Sequence, residues 1–289
     1  MEYNDNKAFQ RRDSRNLEIM APAGNFECLH AAIQGGADSV YFGVEKLNMR
    51  SHSANNFKMT DLAEIVRICA QHNVKTYLTL NIALFGEDLE DMRRTLDAAK
   101  AAGITAVIAS DMAAIIYARQ IGVEVHISTQ LSISNIEALR FYAQFADVIV
   151  LARELNLGQV KEIKRIIDEE QICGPSGRLV EIEMFAHGAL CMAISGKCYL
   201  SLHEYGASAN RGSCYQLCRR GYEVTDLETG DKLEIDNKYI MSPRDLKTIL
   251  RFFMKSEYLP YFEISIPKTD KQPIETYTDA ELKKLLKSG

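Results

Sequence analysis

From Leu17 onward, short runs of apolar and β-branched residues alternate with longer stretches in which apolar positions recur every three or four residues. The short runs predict strands at Leu17–Met20, Ser39–Phe42, Lys75–Leu80, Ala106–Ala109, Val123–Ile127, Val148–Leu151 and Ile182–Ala186. The periodic stretches predict helices over Phe26–Gln34, Asp61–His72, Leu89–Ala101, Met112–Arg119, Ile136–Gln144 and Gly158–Glu169. Thr60, with Glu64 close behind, and Ser134, with Glu137 three residues on, read as helix starts. Gly103 and Gly122 stand just past helix ends, where a left-handed residue is wanted. Residues 1–16 are polar and read as a disordered tail.

Strands that alternate with helices imply right-handed crossovers and a parallel sheet. Seven such units favour an α/β fold of the TIM-type (β/α) barrel class over an open doubly wound sheet. The first strand is followed by APAGN, which is not the G-x-G-x-x-G dinucleotide fingerprint. In a barrel, functional residues belong where strands end and the following loops begin. That rule brings Arg50, Asn81, Asp111, His126, Gln130, Arg153, Glu154 and His187 to one rim. Asp111 is best read as the cap of the next helix, worth about 1 kcal/mol. Capping does not explain His126, Gln130, Arg153, Glu154 and His187, which are the catalytic candidates; Arg50 and Asn81 are candidates for binding substrate.

Composition narrows the class. The chain has 289 residues, 47% apolar and 25% charged, an ordinary globular balance. No apolar run is long enough to cross a bilayer, so no membrane partner is expected. The polar start lacks an apolar segment, and Arg11-Arg12 is no export signal, so a cytoplasmic location with reduced thiols is expected. A net charge of −5 excludes a global electrostatic footprint for nucleic acid. Lys197, Arg211, Arg219 and Arg220 form a local basic exception; a solvated loop is the plain reading of them.

That exception lies within the segment carrying most of the chemistry, Glu181 to Tyr222. Four of the seven cysteines, Cys191, Cys198, Cys214 and Cys218, fall here with gaps of six, fifteen and three residues. In a reducing compartment, clustered thiolates point to a metal rather than to disulfides. Structural zinc sites use short C-x₂₋₄-C knuckles, and only Cys214 and Cys218 fit one. Mixed spacing favours a 4Fe–4S cluster, with zinc as the alternative. Cys173 precedes the seventh strand and is a stray candidate, while Cys28 and Cys69 sit in helical patterns and read as small core residues.

The stretches IMAPAGNFECLHAAIQGGADSVYFG, VHISTQ, LARELN and, above all, HGALCMAISGKCYLS with GSCYQLCR resemble peptidase family U32, often labelled collagenase-like proteases. The resemblance covers about residues 17–250. Relatives with this cysteine spacing include proteins that hydroxylate the wobble uridine of tRNA, proteins that hydroxylate a ribosomal cytidine, and paired factors for oxygen-independent ubiquinone hydroxylation. The spacing looks closest to the tRNA branch. The resemblance implies a 4Fe–4S cluster on Cys191, Cys198, Cys214 and Cys218. It also implies an RNA substrate; Arg211, Arg219 and Arg220 are the candidates to touch its phosphates, because positive charge supplies sequence-independent affinity. A collagenase-like peptidase and a non-catalytic iron–sulfur assembly or carrier factor working with a partner protein are the alternatives.

After Ser242-Pro-Arg-Asp-Leu246 the family continues into an eighth strand ending K-I-E-G-R and then a further domain. Here residues 251–289 read as divergent or truncated: Phe262–Ile266 is a strand candidate without that motif's Lys and Glu, and the segment from Thr278 reads as a capped amphipathic helix. An incomplete eighth strand is therefore expected.

Overall fold

Seven parallel strands pair strictly in chain order, each joined to the next through a helical crossover. The structure, a computed structural model, describes residues 17–49, 51, 56–186, 191, 193–220, 222–225 and 232–235. The strands are β1 (Met20–Pro22), β2 (Ser39–Phe42), β3 (Lys75–Leu80), β4 (Ala106–Ala109), β5 (Glu124–Ile127), β6 (Val148–Val150) and β7 (Glu181–Glu183). Between them run α1 (Phe26–Gln34), α2 (Leu62–Gln71), α3 (Leu89–Ala102), α4 (Met112–Gln120), α5 (Ile136–Ala143) and α6 (Leu157–Glu170). Sequential parallel order with helices on one face makes a curled half-barrel of the TIM type. The expected tail, the Ser242–Leu246 segment, the strand candidate at Phe262–Ile266 and the closing helix from Thr278 lie outside the described residues.

Each helix follows from its own sequence. In α3, Met92, Thr95, Leu96 and Ala99 are buried at the three-and-four spacing that makes one apolar stripe. Gly103 then ends it at φ 82°, donating its N–H back to Ala99 and Lys100. Burying a side chain such as Leu96 is worth roughly 1.5–3 kcal/mol, and its truncation to Ala would cost about 2–5 kcal/mol. Two starts differ from expectation. Asn135, not Ser134, caps α5, its side chain accepting from the Ala138 N–H at 2.9 Å. The approach to α2 is a tight turn, Met59–Asp61, in which the Asp61 carboxylate takes the Lys58 N–H at 2.7 Å.

Period-2 alternation divides the strands between two cores. Val40, Phe42, Leu78, Leu80, Val107, Val125, Ile127 and Ile149 join the large core under the helices. Met20, Tyr41, Tyr77, Ala106 and Ile108 line the inside of the curl. The inner face also carries charge. Glu18 accepts from the Tyr77 hydroxyl and from Lys75, each at 2.6 Å. Burial acts to raise the Glu18 carboxyl, but those donors outweigh it and hold it low. Glu183 on β7 has the opposite fate: burial, reinforced by the Glu18 charge, pushes it up to about 7. Repulsion between a residue on β7 and one just ahead of β1 indicates that the curl brings the two edges of the sheet toward each other.

Beyond β7 come a short helix α7 (Leu200–Tyr205) and an antiparallel ribbon of β8 (Tyr222–Thr225) and β9 (Lys232–Ile235). The hydrophobic pattern did not predict these. Cys69 is buried as expected, with its thiol raised to about 11 by burial, but Cys28 is exposed on α1 rather than in the core.

Candidate functional site

The cysteine-rich segment folds back onto the loops at the C-terminal ends of β2, β3 and β5. Two glycines make the close approach possible. Gly196 has φ +76°, and a Cβ there would stand 3.0 Å from the Gln130 Cβ and 3.1 Å from its carbonyl oxygen. Gly212 has φ +91°, and a Cβ would meet the Asn48 carbonyl at 2.7 Å and the Ser51 hydroxyl at 2.1 Å. Only a residue without a side chain fits both the backbone and the space.

Between those glycines, Asn210 holds the segment twice. Its carbonyl accepts the Ala83 N–H at 3.1 Å, and its side-chain oxygen accepts the Cys198 N–H at 3.3 Å. Arg211 donates to the Ala83 carbonyl at 2.9 Å and to Asp88 at 2.7 Å, and its guanidinium lies 3.8 Å from the Phe85 ring centre. That half-buried ion pair holds Asp88 below the ordinary carboxylate range, chiefly through the Arg211 hydrogen bond. Arg211 is thus committed to the rim, where the sequence reading had it touching phosphate. Asp88, 123 residues earlier in the chain, was not legible as its partner.

The fold encloses a cavity of about 180 Å³ between rim and segment, lined among others by Asn81, Asp111, Gln130, Gly196 and Asn210. Asn81 accepts the Met49 N–H at 3.2 Å and donates to the Ser128 hydroxyl at 3.5 Å; that hydroxyl in turn donates to the Gln130 side-chain oxygen. Asp111 caps α4 by accepting the Ala113 N–H at 2.9 Å, and its other oxygen accepts the Leu84 N–H at 3.1 Å. The capping reading therefore holds, with Asp111 also lining the cavity.

Of the catalytic candidates, Gln130 faces this cavity. His126 does not reach the rim. It is 4% exposed inside the curl, its ring 4.6 Å from that of Tyr77 and Nε2 3.7 Å from Glu124. The strand end was read correctly, but the side chain there points into the barrel below the mouth. Arg153 stacks on Phe185 at 4.2 Å and directs Nη1 to the Cys191 sulfur at 3.5 Å, while its buried Nε has no partner among the described residues. Glu154 is exposed. Arg50 and His187 lie outside the described residues. Arg219 donates to Gln216 at 2.7 Å and Arg220 to the Tyr205 hydroxyl at 2.6 Å.

Cys191 is exposed, and Cys198, Cys214 and Cys218 are half-buried. Burial pushes the Cys218 thiol up and Arg219 pulls it down, while the charges of Cys214, Cys191 and Cys198 push it further up. The other three sulfurs therefore lie within electrostatic reach of Cys218. Among the described residues no three His, Cys, Asp or Glu side chains stand close enough to hold a single metal ion. Cys173 is exposed and donates to the Gln171 carbonyl at 3.3 Å.

Fold and site together define a TIM-type half-barrel protein with a cysteine-bearing segment folded onto its mouth. The chain belongs to the family described as Peptidase family U32, whose model matches residues 24–252. It is 63% identical over 234 residues to a protein of Porphyromonas gingivalis named "Collagenase", covering 81% of this chain and 56% of that one. It is 37% identical over 243 residues to "tRNA hydroxylation protein P1" of Bacillus subtilis, covering 82% and 55%. With "23S rRNA 5-hydroxycytidine C2501 synthase" of Escherichia coli the identity is 36% over 233 residues, covering 80% and 33%. The chain thus spans about half the length, or less, of these relatives. Among the described residues no helix is long and apolar enough to cross a membrane.

Proposed function

We propose that Cys191, Cys198, Cys214 and Cys218 hold a 4Fe–4S cluster, and that the chain acts in oxygen-independent hydroxylation of RNA, with the tRNA wobble uridine as the leading substrate. The observation that carries the reading is the segment bearing all four cysteines folded back on the barrel mouth, with Arg153 Nη1 directed at the Cys191 sulfur at 3.5 Å. Thiolates that repel one another favour a shared cationic centre. The mixed spacing of the four cysteines suits a polynuclear cluster better than a single zinc. When bound, the cluster would supply one-electron chemistry and a Lewis-acidic iron.

The chain's own residues supply the rest. Arg153, held flat by Phe185, places positive charge beside Cys191 and would offset the charge of a thiolate there. The cavity, with side-chain amides from Asn81, Gln130 and Asn210, would take and orient a small polar hydroxyl donor. The names of the Bacillus subtilis and Escherichia coli relatives support an RNA substrate. Mass spectrometry of nucleosides from a deletion strain tests the reading; unchanged wobble hydroxyuridine removes it.

The Porphyromonas gingivalis relative favours a second reading, a peptidase. A thiolate tied to a cluster cannot also attack a peptide bond, so the two readings exclude each other. Digestion of gelatin by metal-free chain, abolished by Cys191→Ala, would establish this reading in place of the first. If hydroxylation instead appears only with a copurifying protein, the chain is a carrier factor.

A further inference from the structure

Between Ala193 and Arg220 the chain carries four basic side chains, Lys197, Arg211, Arg219 and Arg220, against one acidic one, Glu204, although its net charge is −5. Arg211 is tied to Asp88, Arg219 bonds Gln216 and Arg220 bonds the Tyr205 hydroxyl, on a lobe that also exposes large rings. Tyr205 and Tyr215 are 43% and 48% exposed, with ring centres 5.0 Å apart and planes tilted by 48°.

The pair is held in place. Tyr205 closes α7, which Gly206 terminates at φ 65°. Ser201, buried on the same helix, accepts the Tyr215 N–H at 3.0 Å and fixes the second ring beside the first. Arg220 donates to the Tyr205 hydroxyl at 2.6 Å, with its guanidinium 5.5 Å from that ring's centre. Tyr215 directly follows Cys214, and Arg220 lies two residues after Cys218. A rigid aromatic pair with a cation against it costs little entropy to bind a flat group. The positive charge selects a ligand that is both flat and anionic.

We propose that Tyr205, Tyr215 and Arg220 form a stacking platform for an unpaired base of RNA, held next to the four thiols. This rests on the RNA reading above for what the base is used for. Every base offers a π-face, so the platform takes an unpaired loop nucleotide with little regard to sequence and rejects a base inside a duplex. Arg219, Arg220 and Lys197 supply charge for the flanking phosphates.

The test is fluorescence anisotropy of the full chain with a labelled RNA hairpin bearing an unpaired loop, beside a blunt duplex of the same composition. The hairpin is expected to bind more tightly. Tyr205→Ala and Tyr215→Ala should each weaken it about tenfold, while Tyr205→Phe and Tyr215→Phe keep the rings and bind within about twofold of wild type. Arg220→Gln should lower the slope of log affinity against log salt by about 1. Equal binding of hairpin and duplex, no binding of either, or alanine variants that bind like wild type would overturn the platform. So would loss of a copurifying protein in those variants with RNA affinity unchanged, since the surface would then be a protein interface. Circular dichroism of each variant identifies a folding failure, and the Phe pair then decides: loss of affinity in a folded Phe variant also overturns it. Hairpin binding that depends on the rings, in a chain that leaves nucleosides unmodified, would sink the hydroxylation reading and leave the platform standing.

Discussion

Replacing Glu183 by Gln isolates one buried charge. In the folded chain this carboxyl is pushed up to about 7, first by burial and then by the Glu18 charge, from an ordinary value of 4.5. At about 1.4 kcal/mol per pH unit, that difference sets a ceiling of about 3 kcal/mol. The folded state binds the proton more tightly than the unfolded one. The stability it contributes is therefore complete below about 4.5 and is lost as pH rises through about 7. Glu183→Gln removes this dependence with little change of shape. The carboxyl's Oε2 is already buried without a partner among the described residues, so the amide introduces no new type of defect there. Urea unfolding of both proteins at about pH 5 and about pH 8 measures the effect. The variant is expected to gain up to about 3 kcal/mol on wild type between those two conditions, mostly at the upper one. Parallel pH profiles for the two proteins would refute the claim that Glu183 is held neutral inside the curl.

Other expectations concern the rim. Arg211→Ala should cost about 1–3 kcal/mol and speed proteolysis between residues 193 and 220, and adding Asp88→Asn should cost little more, because both disrupt one pair. Gly196→Ala should lower the melting temperature, by about 1–2 kcal/mol in stability for φ +76° alone, with more for the contact on Gln130; an unchanged melting temperature would mean the segment is not pressed on the β5 loop. On the cluster proposed above, Arg153→Gln should lower the reduction potential at unchanged iron content, read by redox titration, and an equal potential would place the guanidinium outside the field of that proposed cluster.

Most of the scaffold was legible because it is written in local periodicity. The helices from Phe26 to Glu170 fall within a residue or two of the predicted stretches, and β3 matches residue for residue. What failed needed distant partners or depth. Alternation tells which face of a strand a residue occupies but not how far down the barrel it sits, so His126 was placed on a rim it lies below. Ser134 and Asn135 are both good caps, and only backbone geometry chose the second. Arg211 sits within a basic run, and nothing local reveals that Asp88 takes its charge. Gly196 and Gly212 were visible as glycines, yet their necessity appears only where the rim presses on them. β8 (YEVT) and β9 (KLEI) interleave charged and apolar residues and lack the continuous apolar run by which β4, of equal length, was read.

Anaerobic purification of the chain, with iron, sulfide and zinc assayed alongside an absorption spectrum, tests the thiol site directly. The account predicts close to four irons and four sulfides per chain, a visible sulfur-to-iron charge-transfer band, and loss of both when any one of Cys191, Cys198, Cys214 or Cys218 becomes Ser (about four each for the cluster type proposed). About one zinc per chain with a featureless visible spectrum would contradict it.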